Sequence, residues 1–285
     1  MTNIDQFESV FRSADKAVYA NHPVDINKVL VVTDLESGAA HELTAAVRQF
    51  LSKIDGEGIE WMAIAGGDFD SVQSLLDLVE KNQPDLVVTY RHLHSTAWQW
   101  PFSLGEHLDV LTQATSTPVL VLPHPDAGHH LPHSVQDTDK VMAITDHLTG
   151  DNRLVDYAVG FTADGGSCWL THVEGVDQFE RYMDAITKLP SIDTEAAREL
   201  IAAQLLKEPA DFIDSCRTVI EGNKIPIEIE QLVVMGRRLE EYKSLVESHE
   251  IDLLIMNTKD GDQLAMHGLA YPLAVEMRGI PLLLL

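Results

Sequence analysis

The chain has 285 residues, 45% of them apolar and 23% charged, which is material for one large globular domain or two of ordinary size. Acidic residues number 45 against 20 basic ones, and a formal charge of −25 repels nucleic-acid phosphates and anionic lipid. Only two cysteines occur, Cys168 and Cys216, with no CxxC pair, so no disulfide framework is expected and a reducing compartment is.

In chain order, residues 1–27 read as an N-terminal extension. Their start, "MTNIDQFESVF", is mixed and charged and lacks the apolar core of a signal peptide. No stretch approaches the roughly 18 apolar residues of a membrane span, so a cytoplasmic protein is expected. "KVLVVTD" (28–34) predicts a buried parallel strand ending in Asp34. "AAHELTAAVRQFLSKI" (39–54) has helical spacing through Leu43, Val47, Phe50 and Leu51. "AGGDFDS" (65–71) then follows a strand and opens the helical "SVQSLLDLVEKN" (71–82). It is similar to the glycine-rich loop of ATP pyrophosphatases, but the spacing is one residue too long, Ala65 replaces the serine and it follows the second strand. A turn with Asp68 or Ser71 as helix cap is therefore the expected reading.

"PDLVVTY" (84–90) predicts another buried strand, followed by Arg91, His92, His94, Trp98, Trp100 and Phe102. These aromatics are expected either to cover the sheet edge or to meet a partner. "TPVLVLP" (117–123) closes the first series. The stretch 124–139, "HPDAGHHLPHSVQDTD", reads as a solvated linker. Its His124, His129, His130 and His133 are weak candidates for a metal site.

The series then repeats. "KVMAITD" (140–146) echoes the first strand and ends in Asp146; "IDLLIMN" (251–257) and "IPLLLL" (280–285) echo the others in the same order. Helical spacing recurs at 153–163, 237–250 and 271–279, with strands at 168–173 and 226–235. Alternating apolar strands and helices imply an α/β fold: two tandem units, each an open, doubly wound parallel sheet with helices on both faces. The units are 28–123 and 140–285. The first lacks room for one βα unit between 34 and 59, and the second carries a helical insertion near 176–223.

This arrangement resembles the universal stress protein family in its tandem form. Three features carry the resemblance: Asp34 and Asp146 ending the first strands, Asp85-Leu86 and Asp252-Leu253 opening later ones, and Gly105 and Gly268 before the Pro-apolar last strands. The resemblance implies two nucleotide crevices, with Asp34, Gly105, Asp146, Asn257, Lys259, Gly261 and Gly268 as candidate binding residues. It also implies that the terminal strands pair as an internal pseudo-dimer, and leaves a further homodimer open.

Members that bind ATP show Gly-x-x-Gly, nine residues, then Gly-Ser or Gly-Thr, because phosphate oxygens need unobstructed backbone N–H groups at a helix start. Here His92 and Ser95 stand in the first two glycine seats, and Glu106 and Leu269 replace the hydroxyls. The expectation is a stress-response protein that acts by binding or regulation, not an enzyme, with degenerate ATP loops and no cofactor. Its partner would be a protein or a small-molecule ligand. The alternative is an ATP-binding protein with weak ATPase or phosphoryl-transfer activity, its nucleotide held in the second unit.

Overall fold

A run such as Leu86-Val87-Val88 has no polar face, so it is stable as a strand only with helices above and below. The computed structural model, which describes residues 17–100, 102–128, 131–145, 147–189, 192–258, 266 and 268–285, realises that arrangement. Its nine described strands are β1 (Lys28–Val32), β2 (Glu60–Ile64), β3 (Leu86–Tyr90), β4 (Val119–Leu122), β5 (Lys140–Ile144), β6 (Ser167–Gly175), β7 (Glu228–Gly236), β8 (Leu253–Met256) and β9 (Leu282–Leu284). They form one sheet in the order β2-β1-β3-β4-β9-β8-β5-β6-β7.

All neighbours run parallel except β4 and β9, which pair antiparallel with Leu120 opposite Leu283. The sheet is therefore two parallel blocks joined at a seam made by the last strand of each. Both seam strands are fully apolar and buried, so each block covers the edge that the other would expose.

The helices are α1 (Ser37–Phe50), α2 (Val72–Asn82), α3 (Glu106–Ala114), α4 (Asn152–Phe161), α5 (Val176–Ile186), α6 (Thr194–Gly222), α7 (Arg238–Ser248) and α8 (Ala270–Glu276). Matching the blocks strand for strand shows which unit the first one lacks. The span 34–59 is complete and holds α1. What is missing is an outer strand equivalent to β7, since β2 is the edge of its block whereas β6 has β7 beyond it. The stretch 176–223 is likewise only partly an insertion. Phe212, Ile213, Cys216 and Ile220, in the second half of α6, are buried, so that half is the crossover helix between β6 and β7. The first half of α6 buries nothing fully: its Leu200 is exposed, as are Tyr182 and Leu189 before it.

The repeated Asp-Leu dipeptides have a structural reason. The Asp85 carboxylate accepts the Asn27 and Lys28 N–H groups at 2.8 and 2.9 Å, and Asp252 accepts the Lys140 N–H at 2.9 Å. Each aspartate thus ties the start of one parallel strand to the start of its neighbour.

Burial outweighs that hydrogen bond at Asp252 and pushes its pKa up to about 6. A carboxyl whose folded pKa is raised stabilises below its unfolded pKa, and that contribution disappears as pH rises through the folded value. Asp252→Asn keeps the acceptor for Lys140. We expect it to raise Tm at pH 8, with the gain shrinking toward pH 4. Identical Tm profiles for the two proteins would contradict the assignment.

The chain before β1 lies across the second block. Tyr19 donates its hydroxyl to Asp156 of α4 at 2.7 Å, and its N–H to Ser215 of α6 at 3.1 Å. Described parts of the stretch 124–139 also pack against the second block. Leu131 N–H donates to the Gly279 carbonyl at 3.1 Å, and His133 Nε2 lies 3.3 Å from the Ile251 carbonyl oxygen.

Candidate functional site

Open α/β sheets take ligands at the carboxyl ends of their strands, where neighbouring crossovers depart in opposite directions. Each block has one such place, between β1 and β3 and between β5 and β8. The two differ.

Between β1 and β3, Asp34 is occupied by its own chain. One carboxylate oxygen accepts the Tyr90 hydroxyl and the other the His94 N–H at 2.8 Å. Burial, followed by the hydrogen bond to Asp34, raises the Tyr90 pKa, so the phenol stays a donor. His92 and His94 take left-handed φ values of 61° and 58°, which fold the loop back on itself. His92 N–H then donates to the Leu104 carbonyl at 3.0 Å.

Gly105 is where that loop meets its own backbone: its φ is 94°, and an added Cβ would stand 2.7 Å from His92 Cα. Aromatic and imidazole rings pack around it. His124 is stacked on Trp98 at 4.8 Å and meets the edge of Tyr90 at 4.9 Å. Phe69, buried, packs its edge against His94 at 4.8 Å and His107 at 5.7 Å. Beside these rings lies a gap of about 10 Å³, bounded by Arg91, His92, Trp98, His124, Ala127 and Arg278. Trp100 and Phe102 point away and are exposed. Ser95 caps a short 3-10 turn over Thr96–Gln99, accepting the Ala97 N–H at 3.1 Å.

Between β5 and β8 lies an open crevice of about 500 Å³, within the range of roughly 300–1,000 Å³ usual for small-molecule sites. Its polar lining comes from Thr145, His147, Thr149, Asp151 and Asn257, and Met256, Leu269 and Leu273 supply apolar wall. Asp151 caps α4, accepting the Leu154 N–H at 3.0 Å, and its second oxygen accepts the Asn257 side-chain amide. Burial raises its pKa. Tyr242, fully buried under the floor, donates to the Thr145 carbonyl and accepts the Val173 N–H, each at 3.2 Å.

Of the residues singled out in the sequence, Asn257 lines this crevice, and Gly268, with φ 58°, immediately precedes its wall residue Leu269. Asp146, Lys259 and Gly261 lie outside the described residues, as do His129 and His130. Asp151 went unnoticed, although Gly150-Asp151 before a helical period is a capping signal. Thr145, His147 and Tyr242 carry no local signal of this kind. Among the described residues, no three His, Cys, Asp or Glu side chains are grouped as a metal site. His124 Nδ1 already accepts the Asp126 N–H at 3.1 Å, and His133 Nε2 lies against the Ile251 carbonyl. The "AGGDFDS" segment is a structural turn: Asp68 accepts the Ala65 N–H, and Ser71 forms a capping box with Ser74.

No protein family and no curated protein matches the sequence. Solved structures do match the fold. A universal stress protein from Archaeoglobus fulgidus DSM 4304 superposes with a TM-score of 0.51 at 14% identity, covering 91% of this chain and 98% of its own. A functionally unknown protein from Pseudomonas aeruginosa PAO1 gives 0.50 at 13% identity, covering 91% and 92%. The chain therefore has a universal-stress-protein-like α/β fold. No described helix is long and apolar enough to cross a membrane.

Proposed function

We propose that this chain is a tandem universal-stress-protein-like protein of the cytoplasm that acts in the stress response by binding, through units at 28–123 and 140–285. The observation that carries this reading is the asymmetry of the two crevices: at one the chain folds back on itself, with the Tyr90 hydroxyl and the His94 N–H on Asp34 and Gly105 against His92, and the other is open to about 500 Å³. The first unit is then a scaffold, and the second holds a small-molecule ligand that a partner protein reads. The charge of −25 argues against nucleic acid or membrane in that role.

The described lining of the open crevice has three hydroxyls, an imidazole, an amide and a carboxylate, but no lysine or arginine. That set favours a neutral or amine-bearing ligand such as a nucleoside over a triphosphate, which would face the Asp151 carboxylate without a paired cation. A second reading, ATP in the same crevice with weak hydrolysis, draws support from its place at the β5–β8 switch and from Gly268. Lys259 and Gly261 would be its phosphate contacts.

Calorimetry with adenosine, AMP and magnesium ATP separates the two. The first reading expects adenosine to bind at least as tightly as ATP and no phosphate release. ATP binding ten-fold tighter, or sustained phosphate release, establishes the second. For either ligand, Ala270→Trp fills the crevice from the end of α8 and is expected to abolish binding. Ala270 is only 7% exposed, so the larger side chain is also expected to lower Tm by a few degrees while the fold persists. Undiminished binding by this variant places the ligand elsewhere.

A further inference from the structure

The sheet has two edges, and they differ. At β2 the Glu60 N–H donates inward to the Asn27 carbonyl at 2.8 Å, and the Ile64 carbonyl accepts the Thr33 N–H at 3.0 Å. In this five-residue strand only Trp61 and Ala63 therefore turn their backbone groups outward. The other edge, β7, is nine residues long. Its Glu228 N–H donates to the Gly166 carbonyl at 2.9 Å, on the β6 side. Alternation along a parallel ladder then gives β6 the even-numbered residues, and points the N–H and C=O groups of Ile229, Gln231, Val233 and Met235 away from the sheet. The Ile229 carbonyl accepts Arg217 Nη2 at 3.3 Å. The outward groups of Gln231, Val233 and Met235 have no partner among the described residues.

The same stretch is apolar. Leu232, Val233, Val234 and Met235 follow one another and are all only partly buried, whereas every residue of β8 is buried. Part of this edge also lacks the support of the full sheet. β5 pairs with β6 only as far as Ile144 opposite Thr171, but β6 and β7 continue together to Gly175 and Gly236. A ribbon of two strands is marginal alone, and a third strand steadies it. Exposed edges are usually blunted by lysine, proline or a bulge. Between Gln231 and Gly236 the strand has no lysine or proline, and its register against β6 is unbroken.

We propose that β7 is the docking edge for a second copy of this chain, the two β7 strands pairing antiparallel about a two-fold axis at Val233. That register sets Val233 against its own copy and Gln231 against Met235, with about six hydrogen bonds between the chains. It uses the outward groups that lack partners and leaves the Ile229 carbonyl to Arg217. Leu232 then faces Val234 of the other copy, so apolar side chains meet across the axis. Charge favours the same direction. Glu228 and Glu230 open the strand, and Arg237 and Arg238 follow its end. Antiparallel pairing brings the acidic end of each copy to the basic end of the other, where parallel pairing would bring like to like. The Arg237 side chain is 68% exposed and meets Glu240 only at 3.9 Å. Within the chain, β4 and β9 already join two blocks in this way. The contact is isologous and closes on itself as a dimer.

The test is sedimentation equilibrium of the full chain over a hundred-fold range of concentration, with amide hydrogen exchange read at both ends of the range. Physiological ionic strength is used, because it screens the repulsion between two chains of charge −25. A monomer–dimer equilibrium is expected. The amides of Gln231, Val233 and Met235 should exchange freely in the dilute sample and be protected in the concentrated one. Gln231→Pro removes an outward N–H at an exposed side chain and spares the β6 ladder, a position where an edge strand accepts proline. It should weaken dimerisation at least ten-fold. Val233→Lys should do the same by placing a charge on the axis, although it makes each chain less acidic. Circular dichroism checks that both variants keep the fold. A wild-type protein that stays monomeric overturns the proposal. So does protection of those three amides that ignores concentration, which would mean that the chain covers its own edge. A dimer that neither substitution weakens is built on another surface, and overturns it as well.

Discussion

Leu283→Ala is expected to lower stability by about 2–5 kcal/mol, the usual cost of emptying a fully buried leucine site. Leu283 faces Leu120 across the antiparallel pair that joins the two parallel blocks, and both are 0% exposed. The cavity would open at the seam, where neither block alone can close it. Urea denaturation followed by circular dichroism gives the value. Fluorescence of Trp61, on β2, and of Trp169, on β6, reports whether the blocks lose structure together. A loss below 1 kcal/mol would mean that the seam contributes little and that the blocks stand independently.

Gly105→Ala is the second large effect, at about 2–5 kcal/mol. Its backbone, with φ 94° and ψ 150°, lies in the region that essentially only glycine occupies, which costs other residues roughly 1–3 kcal/mol. The methyl group would also stand 2.7 and 2.8 Å from His92 Cα and N, and such overpacking costs a similar amount. The loop carrying Trp98 would have to move off His124, so tryptophan emission is expected to change as well. The open crevice lies at the other block, and ligand affinity there should stay within two-fold. A variant that loses ligand binding while keeping Trp98 emission would show that the filled and open crevices have been interpreted the wrong way round.

The strands were legible because a strand buried on both faces must be a continuous apolar run, and "KVLVV" and "KVMAI" say so directly. Helix positions followed from spacing, and their ends were less certain. The period continues to Ile54, but α1 stops at Phe50 and residues 51–54 turn. The order of the repeats placed both crevices. What fills the first one was not legible. Asp34 meets His94 sixty positions away, and Arg91 meets Ala274 at a separation of 183. Periodicity reports which face of an element is buried, not which distant backbone a side chain will cap. The missing outer strand was misplaced for a related reason. A length deficit in a repeat says that a unit is absent, and only strand order says which.

The seam has one more consequence. Because β4 and β9 run in opposite directions, the carboxyl ends of the two blocks point to opposite rims. The α8 helix spans between them: Ala270 and Leu273 wall the open crevice, and the Ala274 and Met277 carbonyls are gripped by Arg91 from the filled one. Seven residues at 1.5 Å each make a stiff rod of about 10 Å. The wall of the open crevice and the backbone that the guanidinium holds are thus parts of one short helix. One strand pair in the middle of the sheet turns the two blocks away from each other, and one short helix reaches from rim to rim.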